Sequence, residues 1–154
     1  MSTQRLPAVD AWVRLLRGHA ALRRTLSAQL QADHGLTIND YEALLVLSRA
    51  DEGRMRRIDL SEQLLLTPSG VTRLLDGLER AGFVAKARCT SDARVTYAVL
   101  TEDGRTCLES ASSGHLEQIR AVFAERFSDA ELKTLTELLG RLPGADAGDA
   151  GDCG

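Results

Sequence analysis

The chain has 154 residues, of which 44% are hydrophobic, 27% charged and 4% aromatic, and its formal net charge is −3. This length suits one domain with a core of Leu, Val and Ala, and the acidic balance argues against nonspecific coating of nucleic acid. No apolar run approaches the ~18 residues of a membrane span, and the N-terminus lacks the apolar stretch of a secretion signal. We therefore expect a cytoplasmic protein with no membrane partner.

The reactive residue types form no catalytic or metal-binding pattern. Three cysteines without metal-type spacing fit a reducing cytoplasm: Cys89, Cys107 and Cys153. Three histidines are scattered without carboxylate or thiol partners at ligand spacing: His19, His34 and His115. Because the sequence also lacks a nucleophile elbow, a phosphate loop and paired catalytic carboxylates, we expect neither an enzyme nor a cofactor.

Charge is distributed unevenly along the chain. Residues 1–53 are neutral, residues 54–94 carry a net charge of +3, and residues 95–154 carry −6. A basic centre in an acidic protein is typical of a local DNA-binding face, although a solvated Arg-rich surface gives the same bias.

The first predicted element is a long amphipathic helix of about five or six turns. Its apolar stripe needs a partner and comprises Val9, Trp12, Leu15, Leu16, His19, Leu22, Leu26 and Leu30. Gly35 can adopt the left-handed conformation that ends the helix. A second helix opens at Thr37, which with Asp40 resembles a capping box, and it ends near Ala50 before a polar turn over 51–54.

Two short helices joined by a tight turn follow. The first covers about residues 58–65, and we expect four residues to face inward: Ile58, Leu60, Leu64 and Leu65. The second begins with the N-cap Thr67 and with Pro68, which suits the first helical position, and it stops at Gly82. This arrangement predicts a helix-turn-helix.

The outer face of the second short helix carries Ser69, Thr72 and Arg73. A recognition helix presents small polar and Arg side chains near its N-terminus to the major groove. The alternative is that these residues only solvate an exposed helix face.

The period then changes from helical to extended, and residues 83–88 and 95–100 predict a β-hairpin. Its strands and loop carry Lys86, Arg88 and Arg94. Arg94 is the sharpest candidate for a minor-groove contact, because a narrow minor groove attracts a guanidinium. Asp92 could hold that guanidinium in position, although a surface ion pair without function is the plainer interpretation.

The C-terminal region predicts two further helices and a tail. One starts at residues 101–104 with acidic residues in its first turn, and the other starts with a capping box from Ser128 to Glu131. Residues from Pro143 onward are repetitive, acidic and poor in apolar side chains, which predicts disorder.

These motifs resemble the MarR (multiple antibiotic resistance regulator) family of winged helix-turn-helix transcription factors over about residues 10–142. The most specific stretch is 92–104, which is similar to the family's wing signature of Asp-x-Arg followed by a strand ending in Leu-Thr-x-x-Gly. Residues 71–84 are similar to its recognition helix and the turn into the wing. The resemblance implies wing roles for Asp92 and Arg94 and major-groove roles for Ser69, Thr72 and Arg73. Gly77 departs from the pattern, which often has a longer basic residue there.

The resemblance implies a mainly α fold of about six helices with a small hairpin wing. Together with the predicted elements, it divides the chain into a dimerisation helix (1–36), a winged reading head (37–100) and C-terminal dimerisation helices (101–142), followed by the tail (143–154) whose composition predicts disorder. We therefore expect a sequence-specific DNA-binding regulator, a repressor that binds a pseudo-palindromic operator as a homodimer.

The resemblance also suggests release by a small anionic or phenolic effector. The candidates for its pocket are Trp12, His19, Tyr41 and Arg54. A thiol-based redox sensor that uses Cys89 on the wing is one alternative, because nearby Arg88 could lower the pKa of the thiol. A DNA-independent dimeric ligand carrier is another, and it gives Arg94 no role.

Overall fold

The computed structural model of the chain describes residues 6–145. Its regular elements are α1 (Pro7–His34), α2 (Ile38–Arg49), β1 (Arg54–Arg56), α3 (Arg57–Leu64), α4 (Pro68–Arg80), β2 (Val84–Arg88), β3 (Thr96–Leu100), α5 (Glu102–Ala124) and α6 (Asp129–Leu139). Two compact units, residues 1–115 and 116–154, divide within α5. The mainly α architecture and the six helices expected from the sequence are confirmed over the described residues.

Local capping explains where the helices of the first unit begin and end. Gly35 closes α1 in the left-handed region, with φ of 67°. Thr37 and Asp40 form the expected capping box at α2, with bonds of 3.1 and 2.8 Å. At α4, the amide of Gly70 donates to Thr67 Oγ1 at 3.1 Å, and Pro68 follows the cap. Each cap satisfies amides that the helix itself leaves free.

The sheet has three antiparallel strands in the order β1-β3-β2, where the sequence predicts a two-stranded hairpin. The predicted polar turn over 51–54 is wrong at its end, because Arg54 starts β1 and pairs with Val99. Asp51–Gly53 forms a short 3₁₀ turn before it. Three residues are too few to show a period of two, so this edge strand leaves little trace in the sequence.

The core of the first unit lies where α2, α3, α4 and the sheet meet the C-terminal part of α1. Its fully buried large side chains are Leu30, Leu44, Leu47, Leu60, Val71 and Leu75. Two predicted core residues are corrected: Ile58 is 54% exposed and Leu65 is 91% exposed. Leu65 occupies the left-handed C-cap of α3, with φ of 54°, and this conformation takes its side chain out of the helical stripe.

The N-terminal half of α1 differs from this core. Its apolar side chains are exposed within the described chain: Val9, Trp12, Val13, Leu15 and Leu16. Burial along α1 begins only at Leu26 and Leu30. The second unit contains the C-terminal end of α5 and the whole of α6. Helix α6 starts at the expected capping box of Ser128 and Glu131.

None of the helices within residues 6–145 is long and apolar enough to cross a membrane. Of the tail predicted to be disordered, residues 146–154 lie outside the described part of the chain, as does Cys153.

Candidate nucleic-acid interface

The turn between α3 and α4 is fixed by buried polar contacts. Ser61 is 6% exposed, and its hydroxyl donates to the carbonyl of Leu66 at 2.8 Å. The amide of Leu66 returns a bond to the carbonyl of Ser61 at 3.2 Å. These bonds hold the start of α4 at a set angle to α3, which a helix-turn-helix needs if its second helix is to enter a groove.

The outer face of α4 presents the three side chains expected from the sequence. Ser69, Thr72 and Arg73 are all exposed. The hydroxyl of Thr72 donates to the carbonyl of Pro68 at 3.0 Å, so its lone pairs remain available as acceptors. The hydroxyl of Ser69 lies 3.2 Å from Thr67 Oγ1. Among the described residues Arg73 forms no ion pair, and its guanidinium can therefore donate to a base or a phosphate.

Lys86 on β2 faces α4 and contacts its acidic residues. Its ammonium lies 3.3 Å from Glu79 and 3.7 Å from Asp76. This contact links β2 to the recognition helix and offsets two carboxylates beside the proposed DNA face. A DNA contact by Lys86, which the sequence predicts, would have to compete with these pairs. Arg88, at the end of β2, is exposed.

The wing loop holds Arg94 through Asp92. The backbone amide of Arg94 donates to Asp92 Oδ1 at 3.0 Å, its Nε lies 3.2 Å from the same oxygen, and its Nη2 lies 3.5 Å from Oδ2. These bonds lower the pKa of Asp92. The side chain of Arg94 is 91% exposed. Asp92 therefore binds both the backbone amide and the guanidinium of Arg94, while the side chain as a whole stays exposed.

The Leu-Thr-x-x-Gly stretch anchors the base of the wing. The hydroxyl of Thr101 donates to the carbonyl of Gly82 at 2.6 Å and accepts from the amide of Gly104 at 3.0 Å. A Cβ on Gly104 would collide with the carbonyl of Phe83 and lie 2.8 Å from Leu100 Cδ1. This motif thus joins the end of β3, the turn before β2 and the start of α5, and its role is architectural.

The two cysteines of the first unit have different environments. Cys89, on the wing, lies 3.1 Å from the hydroxyl of Ser91, and this hydrogen bond lowers the pKa of its thiol, helped by backbone bonds at Ser91 and Asp92. Burial raises the pKa of Cys107 on α5. The sequence suggested Arg88 as the cause at Cys89, whereas the structure attributes the lowered pKa to these hydrogen bonds.

The four predicted effector residues occupy different settings. Trp12 and His19 are exposed on α1. Tyr41 is buried; its hydroxyl lies 3.1 Å from Ser112, and its ring lies 4.5 Å from that of His115. Arg54 stacks over the ring of Tyr97, on the sheet. None of the four lines the cleft between residues 56–58 and 94–96 or the cleft along α6. No group of three potential metal ligands occurs among residues 6–145.

A basic junction between β1 and α3 was missed as a separate feature by the sequence reasoning. Arg56 and Arg57 were counted in the basic centre but received no role. The available signal was two adjacent arginines directly before the first helix of the helix-turn-helix. No sequence signal indicated β1, the strand whose pairing with β3 places these arginines beside the wing.

Comparison with known proteins agrees with this geometry. The sequence-family model described as "MarR family" matches residues 36–96 of the chain. The chain is 35% identical over 111 residues to the HTH-type transcriptional repressor YetL of Bacillus subtilis (strain 168), covering 72% of this chain and 66% of YetL. AbsC, a MarR family transcriptional regulator from Streptomyces coelicolor, is similar at 32% identity with a TM-score of 0.77, over 89% of this chain and 93% of AbsC.

A third relative was solved with its nucleic acid. Sco3205, a MarR family transcriptional regulator from Streptomyces coelicolor in complex with DNA, is similar at 26% identity with a TM-score of 0.80, over 95% of this chain and 96% of Sco3205. Fold and relatives together define a winged helix-turn-helix, DNA-binding transcriptional regulator and not an enzyme. The chain belongs to the MarR family.

Proposed function

We propose that the protein is a homodimeric repressor that binds a pseudo-palindromic operator and is released by a small anionic or phenolic effector. The observation that carries the proposal is the wing geometry: Asp92 binds the backbone amide and the guanidinium of an arginine whose side chain is 91% exposed. Such a cation suits a narrow minor groove, where negative potential is concentrated. The similarity to a repressor, YetL, supports the direction of control. The proposed location is the cytoplasm, because a regulator of chromosomal DNA must be in the same compartment as that DNA.

The reading head makes two kinds of contact in this proposal. Ser69, Thr72 and Arg73 of α4 contact bases or phosphates of the major groove, and Arg94 enters the adjacent minor groove. Arg88 contacts the backbone, and Lys86 does so after exchanging its carboxylate partners for phosphate. Gly77 contributes no side chain to this face, so the operator need not match those of relatives that carry a basic residue there.

The exposed face of α1 supports the homodimer. Trp12 is 60% exposed and Leu16 is 52% exposed on one helix, an arrangement that is unfavourable in water unless a partner covers it. A second copy of the chain is the occupant we propose, because a two-fold dimer presents two recognition helices to two half-sites about one helical turn apart. The second unit contributes as well, since its Leu138 and Leu142 are also exposed.

Binding to the promoter DNA of the protein's own gene tests the DNA role. Titrations over a salt series should give specific, salt-dependent binding, and Arg94→Ala should weaken it about 10- to 100-fold. The matched control Arg24→Ala removes an exposed arginine of α1 and should bind like the wild type. Absence of sequence-specific binding, or unchanged affinity in Arg94→Ala, would overturn the proposed function and favour the DNA-independent ligand carrier.

Sedimentation equilibrium tests the dimer. Trp12→Glu and Leu16→Glu should shift the protein towards monomer, because a carboxylate would be buried in the apolar contact. Leu65→Glu is the matched control, since it places the same charge on a leucine that is 91% exposed at the helix-turn-helix turn. Equal association of all four proteins would contradict the proposed interface.

The effector is tested by thermal shift against phenolic acids and other small anions. A hit should also reduce operator affinity, and substitutions at Trp12, His19, Tyr41 and Arg54 should lower the shift if these residues line the pocket. The wing position of Cys89 and its 3.1 Å contact with the hydroxyl of Ser91, which lowers the pKa of the thiol, favour a second candidate function, a redox-sensing repressor. In that case peroxide should release the operator from the wild type but not from Cys89→Ser.

A further inference from the structure

A cleft of about 270 Å³ lies beside the wing and outside the outer face of α4. One wall is the junction of β1 and α3, and the other is the end of the wing loop. Its lining residues are Arg56, Arg57, Ile58, Arg94, Val95 and Thr96. Three of the six are arginines, so the cleft has the charge of an anion site.

The three arginines are neutralised to different degrees. Arg56 forms two short bonds to Asp59, at 2.6 and 2.9 Å, and these raise its pKa. Arg94 is shared with Asp92. Arg57 forms no ion pair with any residue in the described range, and its Nη2 is buried without a hydrogen-bond acceptor. That nitrogen is enclosed by protein, so an anion in the cleft would be attracted by the uncompensated charge of Arg57 and would not bond this atom directly.

The backbone at this position adds to the positive potential. Arg56 is the N-cap residue of α3, and no side chain caps the amides of the first turn. Free amides at a helix N-terminus favour an anion, although Asp59 in the same turn already offsets part of this effect. The unpaired charge of Arg57 in the cleft lining and the uncapped turn are thus two separate features that favour one anion.

We propose that this cleft holds a phosphate group of the operator backbone and that Arg57 is its main ligand. The inference rests on the proposed function and extends it to a third contact, apart from the recognition helix and the wing tip. Arg94 belongs both to the cleft and to the proposed minor-groove contact, so DNA that receives Arg94 brings a phosphate strand to the mouth of the cleft. In a helix-turn-helix, the first of the two helices crosses the DNA backbone. In this protein that helix is α3, and the cleft lies at its start. Ile58, 54% exposed at the mouth, packs against the neighbouring sugar.

The salt dependence of DNA binding tests this contact. Arg57→Gln should weaken binding several-fold, by the same factor on the operator and on an unrelated duplex, because phosphate carries no sequence information. The slope of log K against log salt should become shallower by about 0.9 for each protomer bound. Arg57→Lys should keep the slope, because it keeps the charge. Arg24→Gln is the control of equal charge change on exposed α1 and should leave affinity and slope unchanged.

Thermal melting separates this effect from misfolding. Arg57→Gln should melt at or above the wild-type temperature, because it removes a buried unsatisfied donor. If the wild type binds its operator, and Arg94→Ala weakens it, but Arg57→Gln keeps the wild-type slope, the phosphate site is wrong and the repressor proposal stands. If the wild type binds no duplex, both are wrong. If inorganic phosphate raises the melting temperature of the wild type but not of Arg57→Gln, while the DNA slope is unchanged, the cleft binds a free anion and the backbone contact is overturned.

Discussion

The reading head and the N-terminal half of α1 bury their apolar side chains to opposite extents. In the head, Leu44 and Leu75 are at most 1% exposed, whereas on α1 Trp12 and Leu16 are more than half exposed. Both regions have helical stripes of similar composition, so the difference is one of partners and not of sequence pattern. The head closes its core within one chain, and the open half of α1 requires a surface from outside it.

Truncation of one leucine in each region gives the largest expected difference. Leu44→Ala should lower the free energy of unfolding by about 2–5 kcal/mol, because it leaves a cavity in a closed core. Leu16→Ala should cost within about 0.5 kcal/mol in the monomer, as for other exposed positions. Its cost should grow with protein concentration as the dimer forms. Denaturation over a wide concentration range measures both effects, and equal costs for the two variants in the most dilute sample would refute the contrast.

Glycine substitutions on α5 test how tightly the head is closed at the base of the wing. Gly104→Ala should destabilise the protein by about 1–3 kcal/mol or more, because the new Cβ would collide with the carbonyl of Phe83. Gly114→Ala on the same helix is the matched control, since its Cβ would meet no atom within 4 Å. That change should be neutral or stabilise by up to about 1 kcal/mol. Urea denaturation compares the two, and similar free energies would show that the junction tolerates a side chain.

The sequence predicted the reading head well because its signals are local. Thr67 before Pro68 and the box at Thr37 each fix a helix start within a few residues, and the structure has them as expected. The errors occur where tertiary contacts decide. Leu65 fits a helical stripe, yet the turn requires a left-handed residue and exposes it.

The candidate site was predicted in part for a related reason. Asp92 and Arg94 are two residues apart, so their pairing is visible in the sequence. The cleft at Arg57 depends on an edge strand pairing with residues more than 40 positions later, which no local period shows. Nor does the pattern tell which stripe is covered within the chain, as the exposed half of α1 demonstrates.

The pH dependence of stability tests whether the closed core keeps the imidazole of His115 neutral. This side chain is 7% exposed against Tyr41, and burial lowers its pKa, partly opposed by the charge of Glu42, which is itself paired with Arg23. As the pH falls below about 6.5, the unfolded chain takes up this proton before the folded one, so stability should fall, by at most about 1.4 kcal/mol per pH unit. The loss should level off once the pH is below the folded pKa.

His115→Gln should remove this contribution to the slope, whereas His34→Gln, at the end of α1, controls for the loss of a histidine. Denaturation between pH 7.5 and pH 5 measures the difference. A slope in His115→Gln that equals the wild type would mean that the imidazole is not held neutral by the core.

The smallest expected effect is a difference in reactivity between Cys89 and Cys107. Both cysteines belong to the first unit, so this prediction compares an open and a closed environment within it. In a Cys153→Ser background, iodoacetamide at neutral pH should alkylate Cys89 on the wing about tenfold faster than Cys107 on α5, because reactivity follows thiolate fraction and exposure. The hydrogen bond from Ser91 lowers the pKa of Cys89, so its thiolate forms at lower pH than that of an ordinary thiol, while burial has the opposite effect at Cys107. Ser91→Ala should therefore move the rate profile of Cys89 to higher pH and leave that of Cys107 in place. Equal alkylation rates would show that the wing loop does not tune its thiol and would remove the physical basis for a redox role of Cys89.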